Sequence, residues 1–188
     1  MATVASALHY HFGPRAAIVA HVLNTRLEPI NTLRNEMLDT IEREGRAGSV
    51  RDVFEAVVLP WQQTIASTPW GSDYVQVLAQ SVLNPRILRT DLIDRSKLTG
   101  FLRLFRLLHA ALPDVPTGVM NDRFSRAKDN VTLGLARWSR ADEATRALSN
   151  VAQDLVDYAG GGFGAPVTRK VPARGRSKAP AGVDYFLR

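Results

Sequence analysis

The 188-residue chain has no cysteine, which excludes a disulfide framework, a thiolate metal site and a cysteine nucleophile. It has no apolar run long enough for a membrane-spanning helix and no basic-then-apolar opening of the signal-peptide kind. No membrane partner is expected, and a cytoplasmic location is. The alternation of apolar and polar residues that marks a half-buried strand is also missing. What remains is 45% hydrophobic and 22% charged, the balance of a globular protein that can bury a core. The length allows one domain, or one domain with a small appendage.

The formal charge of +6 is unevenly placed. Beyond Thr168, Arg169, Lys170, Arg174, Arg176, Lys178 and Arg188 face a single acid, Asp184. The body of the chain is close to neutral, so composition alone does not indicate a nucleic-acid binder.

Apolar residues recur at helical spacing almost throughout. A short segment at about Thr3–Phe12 stops at Gly13-Pro14. A long helix follows from about Arg15 towards Arg43, with Ile18, Val22, Ile30, Leu33, Met37, Leu38 and Ile41 on one face. Pro29 removes a backbone hydrogen bond inside it and predicts a kink near Thr25 or Arg26. Gly45 and Gly48 end the helix. Ser49 is a candidate N-cap with Asp52 three residues on, and Pro60 predicts a bend in the segment that follows. Further helices read as about Ser72–Leu83, Arg86–Asp94, Ser96–Leu112, Thr117–Ser139 and Asp142–Tyr158. In the last three, expected seams run through Leu98, Phe101, Phe105, Leu108 and Leu112, then Met120, Phe124, Ala127, Val131 and Trp138, then Leu148, Val151, Leu155 and Tyr158. After Tyr158 the Gly160-Gly161-Gly162 run predicts a helix stop, followed by a disordered basic tail.

The string Ala7-Leu8-His9-Tyr10-His11-Phe12-Gly13-Pro14-Arg15, leading into the long helix through Asn31, resembles the TetR family of transcriptional regulators. The resemblance implies an all-α protein: a remnant of an N-terminal helix-turn-helix domain (1–28), a helical-bundle ligand-binding and dimerisation domain (29–159), and a disordered tail (160–188). It implies three partners: a double-stranded DNA operator, a small-molecule effector and a second copy of the chain, packed through the last two long helices. No cofactor is implied. Thr3 and Ser6 then fall at base-reading positions of a recognition helix. His9 and Tyr10 fall where the family has aromatic residues against the sugar–phosphate backbone, His9 departing from the usual Tyr. His11 and Arg15 match the family's His and its basic phosphate contact, and Arg15 gains from the N–H groups at a helix start. Two helices that precede the recognition helix in the family have no counterpart after Met1, so a native start upstream of Met1 is expected. The alternative function is a helical ligand-binding and dimerisation protein without specific DNA binding.

Other readings of the same residues carry less. His9 and His11 are two apart and point to different sides of a helix, which argues against a metal site. No motif assembles a nucleophile, base and acid, so no enzyme is expected. A ligand pocket between helices would draw on Trp61, Trp70, Tyr74, Phe101 and Phe105, although aromatic residues at helical spacing also build ordinary cores.

Overall fold

The computed structural model describes residues 15–84 and 93–168, and these are all-helical, without strands. Seven α-helices occur among them: α1 (Arg15–Arg43), α2 (Val50–Ser67), α3 (Gly71–Leu83), α4 (Thr99–Ala111), α5 (Thr117–Ser139), α6 (Glu143–Leu148) and α7 (Val151–Gly164). A 3-10 turn, Arg95–Leu98, leads into α4. None of these helices is long and apolar enough to cross a membrane. The expected segment Thr3–Phe12, most of the expected helix Arg86–Asp94 and the basic tail from Arg169 lie outside the described residues.

The boundaries follow local chemistry. At the end of α1, Gly45 takes φ +71°. Its N–H donates to the Glu42 carbonyl, and the Arg46 N–H reaches back to the Ile41 carbonyl. That pair of bonds closes the helix as a Schellman motif, for which a residue without Cβ suits the left-handed position. Ser49 then starts α2, its hydroxyl accepting the Asp52 N–H at 3.2 Å. The helices α1 and α2 run unbroken through Pro29 and Pro60.

The bundle is arranged around α2, which touches α1, α3, α4, α5 and α7. Its buried face is correspondingly broad, from Val53 and Phe54 through Val57, Val58 and Trp61 to Ile65. Where α3 begins, Gly71 is pressed against α2, and a Cβ there would lie 2.7 Å from the Ile65 Cα. On the far side, α5 packs against both α3 and α7.

The C-terminal expectations need correcting. The segment read as one helix, Asp142–Tyr158, is two, because the Ser149 hydroxyl accepts the Val151 N–H at 3.1 Å and Ser149 is extended. The helix stop expected at Gly160 does not occur, and α7 continues to Gly164. Tertiary packing overrides glycine's poor propensity here. Phe163 is 1% exposed and sits edge-on to both Phe54 and Phe124. Arg123 then donates to the Phe163 carbonyl at 2.6 Å and to the Pro166 carbonyl at 3.3 Å, satisfying acceptors at the helix end. The seam is also rotated: Ala152, Val156, Ala159 and Phe163 face the core, while Tyr158 is 68% exposed. Leu102 of α4 is exposed too.

Two glycine substitutions separate these effects. Gly71→Ala drives a methyl group into α2 backbone, which cannot swing aside, and is expected to cost about 2 kcal/mol or more. Gly161→Ala meets open space inside α7 and is expected to add about 0.5–1 kcal/mol. Denaturant midpoints of the two variants against wild type check both signs.

Candidate ligand site in the helical bundle

The buried side of α1 advances in steps of three and four: Ala20, Leu23, Leu27, Ile30, Arg34, Leu38 and Ile41. Six of these are apolar and one is an arginine, at 0% exposure. Burying an unpaired guanidinium is costly, so its surroundings have to be accounted for atom by atom.

Pro60 explains one contact. It has no N–H to give the Ala56 carbonyl one turn back, which leaves a buried acceptor without its helical partner. The Arg34 Nε fills that place, donating to the Ala56 carbonyl at 3.1 Å. The flat face of the guanidinium lies over Phe101, 3.9 Å from the ring centroid, a favourable cation–π arrangement. Beside it, Gly100 makes room: a Cβ there would be 3.1 Å from Arg34 Cδ and closer still to Asn31 Oδ1. That Asn31 oxygen accepts the Gly100 N–H at 2.9 Å, and Asn31 Nδ2 donates to Thr99 Oγ1 at 2.9 Å. Asn31 thus caps α4 from a neighbouring helix, since Leu98 at the N-cap has no side-chain acceptor.

Two nitrogens are left over. Among the described residues neither Arg34 Nη1 nor Nη2 has a hydrogen-bond partner. Burial pushes the guanidinium down to about 9, with the nearby Tyr74 opposing the shift. Even so, Arg34 is charged at neutral pH. Burial also raises the Tyr74 hydroxyl above its ordinary value, so the phenol stays neutral and supplies no counter-charge. Its O–H donates to the Leu23 carbonyl at 3.0 Å.

The five aromatic residues expected around a ligand do not form one lining. Trp61 stacks on Tyr74 with centroids 5.4 Å apart, and Trp70 meets Tyr74 edge-on at 5.8 Å. Arg26 lies over the Trp70 ring at 4.7 Å. Phe101 faces Arg34. Phe105 belongs elsewhere, edge-on to His109 at 4.6 Å and to Phe124 at 5.6 Å. The structure therefore brings Trp61, Trp70 and Tyr74 together, places Phe101 against the buried cation, and puts Phe105 in the cluster that contains Phe163. Of the expected DNA contacts, Arg15 opens α1, while Thr3, Ser6, His9, Tyr10 and His11 lie outside the described residues.

Arg34 and Asn31 were not among the expected site residues. The available signal was positional: both fall within the apolar stripe of α1, where a solvated side chain has no place. Family models, curated proteins and solved structures provide no match for this chain.

The exchange of partners at Ala56 can be tested by a double-mutant cycle. Arg34→Met orphans the Ala56 carbonyl, whereas Pro60→Ala returns its helical N–H. The loss caused by Arg34→Met is expected to shrink by about 1 kcal/mol or more in the Pro60→Ala background, read from urea unfolding of the four proteins.

His109 gives a second test. Burial holds its imidazole below the ordinary value of 6.5. The unfolded chain therefore takes up the proton first on acidification, so stability falls as the pH drops below about 6.5. The unfolding midpoint of wild type should decline more steeply from about pH 7.5 to 5 than that of His109→Gln.

Proposed function

We propose that the chain is a TetR-like transcriptional regulator, acting as a homodimer whose affinity for a DNA operator is modulated by a small molecule held in the helical bundle. The observation that carries this reading is the Ala7–Arg15 string feeding directly into α1, a single 29-residue helix that enters the bundle. In sequence, a DNA-reading segment then directly precedes the helix that carries the ligand-holding residues. The bundle supports the second half of the reading, because α1 presents a buried cation and an Asn31 cap on its inner side. The outer surface of α7 supports the dimer: half-buried Val151 and Leu155 adjoin exposed Tyr158 there. In a dimer, the effector acts by favouring a spacing of the two recognition helices that no longer fits successive major grooves.

The test uses the protein isolated from its source cell, with the N-terminus it carries there. Fluorescence anisotropy against promoter fragments at about 150 mM salt is expected to find a fragment bound in preference to scrambled DNA, with affinity falling as salt rises. Removing residues 168–188 should weaken binding to all sequences alike and leave the preference intact. Equal affinity for the promoter and scrambled fragments overturns the reading in favour of a helical ligand-binding and dimerisation protein.

A further inference from the structure

We infer that Arg34 is the anchor for a monoanionic carboxylate ligand, seated among α1, α2 and α4 with its carboxylate forked on Nη1 and Nη2. This rests on the reading above that the bundle holds a small molecule, and it names the chemical class of that molecule.

The argument starts from the inventory of donors. A guanidinium has five N–H groups in a plane. Here the Nε–H is committed to the Ala56 carbonyl and one face to Phe101. Among the described residues the four hydrogens on Nη1 and Nη2 have no acceptor, in a side chain with 0% exposure. Two parallel N–H bonds to the two oxygens of a carboxylate are the arrangement this fork fits best.

Charge selects the same class. Among the acids of the neighbouring helices, Glu28 pairs with Lys97 at 3.0 Å, Asp39 and Glu42 with Arg103, Asp52 with Arg46 at 3.3 Å and Glu55 with Arg51 at 2.6 Å, while Glu36 is exposed on α1. None of them pairs with Arg34, so among the described residues its buried positive charge has no counter-ion. A single negative charge neutralises it, whereas a dianion such as phosphate leaves a buried charge uncompensated. Phe101, Gly100, Ala56 and the neutral Tyr74 are apolar or aromatic, and the polar group beside them, Asn31, is committed to Gly100 and Thr99, so the remainder of the ligand is apolar. Because Arg34 is fully enclosed, such a ligand reaches it by parting α4 from α1. That movement is the kind that would pass to the N-terminal end of α1.

The experiment is thermal unfolding of the full chain in sodium benzoate and in sodium hexanoate, against sodium chloride at matched ionic strength. Benzamide and hexanamide serve as neutral isosteres, and sodium phosphate, at a pH high enough for the dianion to dominate and with the carboxylates measured alongside, as the dianion. At least one carboxylate is expected to raise Tm saturably. Its amide should need roughly 10- to 100-fold more for the same shift, the scale of a charge-assisted pair of hydrogen bonds. Arg34→Met in the Pro60→Ala background, where the Ala56 carbonyl keeps a partner, should abolish the response, and Arg34→Lys should weaken it about tenfold. The inference is overturned if the amide works as well as the acid, if the Met variant keeps the response, if phosphate matches the carboxylates, or if no carboxylate exceeds chloride. Operator binding is read separately: a carboxylate response without promoter preference removes the regulator and leaves the anchor, and the reverse result removes the anchor alone.

Discussion

The carbonyl of Ala56 sets the geometry of the bundle's interior. Proline four residues later takes away the N–H that an α-helix would give it, and burial removes water as a substitute. The replacement comes from another helix, as Arg34 Nε, and this fixes both the register and the rotation of α1 against α2. Once the guanidinium is committed to that position, its other contacts are constrained. A flat ring suits its face, which Phe101 supplies, and a residue without Cβ must stand beside its stem, which Gly100 supplies. Asn31, one turn before Arg34, then meets the first N–H groups of α4. A single missing donor in α2 is thereby linked to the placement of α1 and α4.

Along α2 the same point separates two aromatic clusters. Phe54 lies two residues before Ala56 and joins Phe163, Phe124, Phe105 and His109 in a chain of edge-on contacts. Trp61 lies five residues after it and stacks on Tyr74, which in turn meets Trp70. Phe54 and Trp61 are seven residues apart, about 10 Å along the helix. Ala56, and the cation it holds, falls between them. The first cluster ties α7 to the bundle and so has a structural task, whereas Tyr74 of the second lies within electrostatic reach of Arg34. This is why Phe105, grouped by spacing with the other aromatic residues, parts company with them in space.

The sequence made some of this legible and not the rest, and the division is between local and non-local causes. The limits of α1, the start of α2 and the extent of α5 depend on nearby chemistry: the left-handed Gly45, the Ser49 cap, the loop between two prolines at Pro113 and Pro116. Such signals act within a few residues and can be read directly. The end of α7 cannot, because the glycines that argue against a helix are outweighed by Phe163, whose partners Phe54 and Phe124 are remote in sequence. The face of α7 slipped for the same reason: Tyr158 repeats correctly with Leu155 and Val151, but Ala152, Val156 and Ala159 are small and form the closer packing surface. Arg34 was hidden by its type. In an apolar stripe an arginine reads as an interruption, and only the orphaned carbonyl 22 residues away explains its place.

Charge placement separates the two kinds of arginine in this chain. Arg103 lies at the rim of the contact between α1 and α4, bonded to Asp39 and Glu42, and Arg51 joins α2 to α7 through Asp157 at 2.8 Å. Water screens such pairs, which hold helices together loosely and contribute little each. Arg34 is enclosed and has no acid beside it among the described residues, so its energy depends steeply on what reaches its two outer nitrogens. On the proposed reading, a bundle held at its edges by screened pairs responds at its centre to the species that neutralises Arg34. Since Arg34 stands 19 residues along the same helix that begins at Arg15, about 28 Å of continuous α-helix connects the responsive point to the N-terminal end. A rigid rod transmits displacement without needing a relay of side chains. In the proposed regulator, the chemistry at Arg34 and the angle of α1 are therefore one variable.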